Sequence, residues 1–243
     1  LRMGMKKVTL YNKSDSSLKI SQIFGNTLEA LVGAIYLDKG YKVVSVEGDL
    51  SSVKKGEERF KQEIADGKLI LLNKAISNEK EQIEFFISKD QPYRGSCRKD
   101  LAEYDGFPSE KFLVETITIN ELCEKYGVPY YIKIDIDGNE IPAVEQIFKL
   151  KQRPKYLSIE LPKQFYAGIL SWLWVSGYRK FQFRNQANTS SYHNSSELFG
   201  DDLPKDKWIT SEEVLSRYMK FRELRDADYE ELSIGWLDLH ASL

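Results

Sequence analysis

Cysteine and histidine are scarce, with two of each in 243 residues. Cys97 and Cys123 are too few for a disulfide framework or a cysteine-built metal cluster, and read as two reduced thiols of a cytoplasmic protein. No apolar run reaches the 18 residues that a membrane-spanning helix requires. No leader with a basic start and an apolar middle opens the chain. The first residue is Leu1 rather than Met, so the native start is expected to lie upstream. An excess of one charge is missing as well: 35 Lys and Arg stand against 37 Asp and Glu. Nothing therefore pulls the whole molecule toward nucleic acid or an anionic membrane. The balance is uneven, with six Lys/Arg and three Asp/Glu in residues 1–41, and 29 and 34 in the rest.

What is present is an alternation of apolar strand patterns and helix patterns from Gly40 to Phe183. It predicts an α/β fold, a doubly wound, mostly parallel sheet with helices on both faces. Strands are expected at Val43–Glu47, Lys68–Leu72, Gln82–Ile87, Phe112–Ile119, Tyr131–Ile136, Tyr156–Leu161 and Tyr178–Phe183. Helices are expected at Asn26–Asp38, Ser51–Ile64, Ile119–Tyr126, Ile141–Leu150, Phe165–Val175 and Ser211–Leu224. Ser51 is a fair N-cap for its helix, and Gly127 closes another.

In such sheets ligands bind beyond the carboxyl ends of the strands. The run Tyr130–Glu140, YYIKIDIDGNE, delivers acids and a glycine to that edge. Alternation puts Lys133, Asp135 and Asp137 on one strand face. Burying three charges unpaired is costly, so they neutralise one another or meet a ligand. Gly138 permits a sharp turn with close backbone approach, and Glu140 opens the next helix. Glu47, ending VVSVE, stands where an acid commonly bonds ribose hydroxyls, with Asp49 to assist. The alternative is a solvated strand-end acid. Asn73, Lys74 and Ala75 follow the next strand, either beside a nucleoside base or as an ordinary loop.

These residues resemble a known family. IKIDIDGNE is similar to the K-x-D-x-E-G-x-E signature of FkbM-type methyltransferases, with Asp137 where that family usually has Glu. KGYKVVSVEGDLSSVKKGEERF, LILLNKAIS, VETITINELCEKYGVPYYIKIDIDG, PKYLSIEL, FGDDL and GWLDLHA resemble further family segments in order, over about residues 36–243. The resemblance implies a Rossmann-like class I methyltransferase using S-adenosyl-L-methionine, acting on a hydroxyl of a small molecule or glycan. By position, Glu47 with Asp49 would bind the cofactor ribose, and Asn73, Lys74 and Ala75 would flank adenine. Lys133, Asp135, Asp137 and Gly138 would belong to the cofactor site, with Asp135 near the methionine end or the acceptor hydroxyl. Asp135 is the first candidate for the catalytic base, and His240 in the tail the second. Arg94, Arg98, Arg179 and Arg184 either meet an acidic acceptor or are surface arginines. The acceptor and the oligomeric state stay open.

The family's glycine-rich turn after its first strand is missing. Its glycine positions fall near Asn26 and Ala30, and Gly25 and Gly33 do not reproduce the spacing. Cofactor binding is therefore expected to be weak. GNTLEALVGAIYLDKGY, from Gly25 to Tyr41, instead resembles the second signature helix of ribonuclease III. There Glu29 would be a metal ligand, although the partner carboxylates of a two-metal site are lacking. The expectation is a chimera, with residues 1–41 a ribonuclease III-like fragment and 42–243 the methyltransferase domain. The alternatives are a double-stranded RNA endonuclease fragment or a non-catalytic binding module.

Overall fold

The computed structural model describes residues 42–90, 95–103, 106–161, 166–185, 200–226 and 237–243. The expected strand Lys6–Tyr11, the helix Asn26–Asp38, Glu29 and the glycine positions around it, and Arg94 lie outside the described residues. In chain order, β1 (Val43–Glu47) leads into α1 (Leu50–Arg59), α2 (Lys61–Ala65) and β2 (Leu69–Asn73). There follow β3 (Ala75–Ile76), β4 (Gln82–Ser88), β5 (Gly95–Ser96), α3 (Lys99–Ala102) and β6 (Ser109–Ile117). Then α4 (Ile119–Tyr126), β7 (Tyr131–Ile134), α5 (Glu140–Lys149), β8 (Tyr156–Glu160), α6 (Tyr166–Val175) and β9 (Lys180–Asn185) alternate. α7 (Ser211–Asp226) and β10 (Leu237–Ser242) complete the order.

Among the described residues the architecture is mixed α/β with three sheets, β1-β2, β7-β8-β10-β9 and β3-β6-β4-β5. The β1-β2, β3-β6 and β7-β8 pairings are parallel. The pairings of β10 with β8 and β9, and of β4 with β5 and β6, are antiparallel. A mostly parallel sheet is thus not what the described strands make. Two features cause the difference. The segment between β2 and α4 folds back on itself as an antiparallel flap, and the tail inserts β10 between β8 and β9. Alternating residues in LDLHAS already matched a half-polar strand, but the sequence placed no strand there.

The strands of the four-stranded sheet β7-β8-β10-β9 have one apolar and one polar face. Ile132, Ile134, Leu157, Ile159, Leu239 and Phe181 are at most 2% exposed. They join Ala143, Val144 and Ile147 of α5 and Ile169 and Leu173 of α6 in one core, which also takes in Val44 and Val46 of β1. Side chains of this kind each contribute about 1.5–3 kcal/mol when fully buried. On the other face a row of polar residues crosses the sheet in register: Lys133, Ser158, His240 and Gln182. All four are buried.

Local structure follows local chemistry where the pattern was plain. α4 occupies the expected residues, with a reciprocal capping box between Thr118 and Glu121 and Gly127 at φ +87° after its last turn. Thr118→Ala is expected to cost about 1 kcal/mol, measured by urea unfolding, because the Glu121 amide loses its acceptor while the Thr118 amide keeps Glu121. The Ser51–Ile64 expectation is corrected at both ends. Asp49, not Ser51, is the N-cap, accepting from the amides of Ser51 and Ser52. The helix also breaks at Phe60, which leaves helical geometry (φ −105°, ψ 29°) while its ring is buried.

Candidate active site

The ends of β1, β2, β7 and β8 bring two clusters of acids to their carboxyl edges. The first is built on β1. Glu47 is 2% exposed and its Oε1 accepts the Asp49 amide at 2.7 Å. Asp49 is taken up by its helix, accepting from the amides and hydroxyls of both Ser51 and Ser52. Asn73 donates its side-chain amide to the carbonyls of Glu47 and Gly48, at 3.0 and 2.9 Å. It therefore ties the tip of β2 to the tip of β1. Lys74 turns outward to Glu115 (2.6 Å) on β6, and Ala75 is buried in β3.

The second cluster surrounds Lys133, whose ammonium is buried between Asp238 and Asp135. It hydrogen-bonds Asp238 and lies 3.4 Å from Asp135. Burial alone would drive the ammonium to give up its proton. The carboxylates of Asp238 and Asp135 outweigh that, and its pKa stands above the usual lysine value. Glu160 ends β8 directly opposite Asp238. Withdrawal from water, then Asp135, raises its pKa well above the ordinary range. Glu140, the first residue of α5, accepts the Gly138 amide through both oxygens, at 3.0 and 3.1 Å. Burial nonetheless raises its pKa.

Asp137 lies beyond β7, in the turn, so it does not share a strand face with Lys133 and Asp135. Its backbone is left-handed (φ +43°), a conformation that Asp tolerates better than most residues. Gly138 follows at φ +122°, and a Cβ there would stand 2.9 Å from Arg98 Cδ. His240 is buried inside β10 opposite Ser158, two residues back from Asp238, or about 7 Å along the strand. Its ring stacks on Tyr131 at 6.4 Å. The structure therefore joins Lys133 and Asp135 and sets His240 behind them. Glu160 and Asp238 are the residues that sequence reasoning missed. Both were visible as acids in apolar strand patterns, IEL and LDLH, but nothing local showed that they meet.

The flap binds to both clusters. Phe85 of β4 packs on Gly48, where a Cβ would lie 2.7–3.0 Å from three ring atoms. Ser96 of β5 donates to the Asp137 carbonyl, and Asn139 donates to the Ile76 carbonyl at 3.0 Å. Gly48→Ala is expected to destabilise by about 1–3 kcal/mol in urea unfolding, since an enclosed ring cannot step aside cheaply. An unchanged midpoint would show that the flap is free to move. Cys97, beside the turn, is no nucleophile at neutral pH, because burial and then Glu140 push its thiol up to about 11. Arg98 pairs with Asp100 at 2.5 Å. Arg179 donates to the carbonyls of Trp174 and Tyr178. Among the described residues no group of His, Cys, Asp or Glu is arranged to hold a metal ion. No helix among them is long and apolar enough to cross a membrane.

Comparison with known proteins bears on which chemistry this edge performs. No curated protein and no solved structure matches the chain. The family model of the methyltransferase FkbM domain matches residues 23–180. The match begins inside the segment assigned above to ribonuclease III, and neither that likeness nor a chimera gains support from any comparison. It spans β1, β2, β7 and β8 and the flap between them, and stops short of β10, which carries Asp238 and His240. A single match over more than half of the chain places this protein in the FkbM methyltransferase domain family.

Proposed function

We propose that this chain transfers the methyl group of S-adenosyl-L-methionine to a hydroxyl of a small molecule or glycan. The observation that carries the reading is Glu47, a buried carboxylate at the tip of a parallel strand with one oxygen held by the Asp49 amide. A carboxylate so placed accepts ribose hydroxyls. The donor set fits the cofactor on two counts: the ribose meets Glu47, and the positive charge meets a cluster with more carboxyls than cations. When bound, the cofactor supplies an electrophilic methyl group. The protein's own part is placement of the acceptor hydroxyl, which methyl transfer needs more than covalent help. Asp135 takes the hydroxyl proton, and Lys133 keeps it ionised and oriented. Asp49 and Asn73 act through Glu47, one capping α1 and the other clamping β2 to β1. A cytoplasmic location belongs to the same reading and rests on the two unpaired cysteines, Cys97 and Cys123.

The glycine-poor segment near Asn26 and Ala30 sets the expected strength. We expect a dissociation constant for S-adenosylmethionine weaker than micromolar. Calorimetric titration with S-adenosylhomocysteine tests the reading. Saturable binding supports it. A folded protein that binds neither form would favour a non-catalytic module, for which the departure from the family's glycine turn is the supporting observation.

A further inference from the structure

A recess of about 490 Å³ lies at the other end of the four-stranded sheet, where β8 and β9 begin and β10 ends. Cavities of this volume commonly hold small-molecule ligands. Its floor is a register row: Tyr156 pairs with Ser242, and Ser242 with Lys180. Tyr156 stands four residues before Glu160 on β8, about 13 Å along the strand. The recess is therefore separate from both acid clusters.

Residues 200–210 build its wall, and several contacts fix that wall to the floor. Phe181 and Ile209 exchange backbone hydrogen bonds at 2.9 and 2.8 Å. Gln182, buried in β9, donates its side-chain amide to the Pro204 carbonyl at 3.0 Å. Trp208 stacks on Tyr156 with ring centroids 6.5 Å apart. Gly200 is left-handed at φ +58°, and a Cβ there would stand 3.2 Å from the Tyr156 ring. A wall held in this way has little freedom left to lose when a ligand enters.

The charge of the recess runs against that of the whole chain. Three cations line it, Arg179, Lys180 and Lys205, against one carboxylate, Asp201, in a chain of net charge −2. Asp201 is already engaged. It accepts the hydroxyls of Tyr130 and Tyr156 and lies 3.3 Å from the Lys155 ammonium. The hydrogen bond from Tyr130, then that from Tyr156, holds its pKa down to about 2. Arg179 is pinned through Nη1 alone by the carbonyls of Trp174 and Tyr178, so Nε and Nη2 keep their donors. Among the described residues the side chains of Lys180 and Lys205 have no acid partner.

We propose that this recess is a second binding site, for a small phosphorylated sugar: Lys180, Lys205 and Arg179 hold the phosphate, and the sugar ring lies against Trp208. Three cations exceed what one carboxylate requires and match a phosphate dianion, whose oxygens suit the guanidinium fork. Trp208 and Tyr156 supply apolar surface, and the volume leaves room for one ring beyond the phosphate. The site does not depend on the cofactor reading.

The experiment is calorimetric titration of the full chain with glucose 6-phosphate at fixed ionic strength, with glucose and inorganic phosphate beside it. We expect saturable binding of the phosphate ester, weaker binding of inorganic phosphate and none of glucose. Lys180→Ala and Lys205→Ala should each weaken binding roughly 10-fold or more, the size of a hydrogen bond to a charged group. Lys207 belongs to the same short turn as Lys205 but does not line the recess. Lys207→Ala should change the affinity about twofold or less, because only a screened charge is lost. All three lysines are exposed, so their removal leaves the fold intact. A folded chain that does not bind glucose 6-phosphate overturns the proposal, and so does equal affinity for glucose or for inorganic phosphate. Binding that survives both Lys180→Ala and Lys205→Ala overturns it too, since the ligand then sits elsewhere. An equal loss in Lys207→Ala does the same, since net charge alone then governs binding. None of these outcomes touches the cofactor reading, which rests on Glu47 at the other edge.

Discussion

Glu47→Ala is expected to abolish measurable binding of S-adenosylhomocysteine while the protein stays folded. Hydrogen bonds to a charged group contribute about 1.5–3 kcal/mol each, or roughly 10- to 100-fold in affinity per ribose hydroxyl. Starting from binding already weaker than micromolar, the loss of one or two such bonds carries the interaction out of calorimetric range. Glu47 also holds the Asp49 amide at 2.7 Å, so alanine disturbs the entry to α1. Glu47→Gln separates the two effects. It keeps an acceptor for that amide but loses the charge, and should weaken binding while restoring the unfolding midpoint. Wild-type affinity in the alanine variant would remove Glu47 from the ligand site and leave it a strand-end acid with a local backbone role.

Lys133→Met is expected to destabilise the fold by about 3–5 kcal/mol, the usual effect of removing one partner from a buried ion pair. Asp238 is 2% exposed and Asp135 is 9% exposed, so neither can replace the ammonium's contact from bulk water. The lysine's value lies in what it neutralises, and the effect should be strongly non-additive. Combining Lys133→Met with Asp238→Asn should cost less than the sum of the two single changes, because one of the two carboxylates left without their ammonium is gone. A cycle of urea-unfolding measurements reads this directly. A loss below about 1 kcal/mol in the single variant would mean that the carboxylates protonate or rehydrate readily, and that the cluster is not the electrostatic centre described above.

The two predictions draw on different levels of information. Glu47 was legible because it ends an apolar pentamer, VVSVE, and is followed by glycine and a helix pattern. The strand occupies just those residues. α4 was legible for the same reason, since caps and periodicity act within a few residues of each other. Asp135 and Lys133 were legible as charges on an apolar strand that must be neutralised. The neutralising partner was not, because Lys133 and Asp238 stand 105 residues apart. The flap was legible only in pieces: two strands were expected, but not that Phe85 would fill the space over Gly48. The family match reaches back to residue 23, across the division expected at residue 41. An apolar spacing like that of GNTLEALVGAIYLD suits more than one fold, so its likeness to ribonuclease III carried little.

By itself, then, the sequence determined most of the longer strands and helices among the described residues, that acids stand at strand tips, and which family the chain resembles. Those properties depend on neighbours in the chain, where periodicity, capping and turn chemistry operate. Tertiary structure alone decided that β10 lies between β8 and β9 and brings Asp238 against Glu160. It also decided that Lys133 serves two carboxylates. Charge balance in a buried site is a sum over strands that pair across long separations. It depends on register, because a slip of one residue would turn Asp238 and His240 to the opposite face of the sheet.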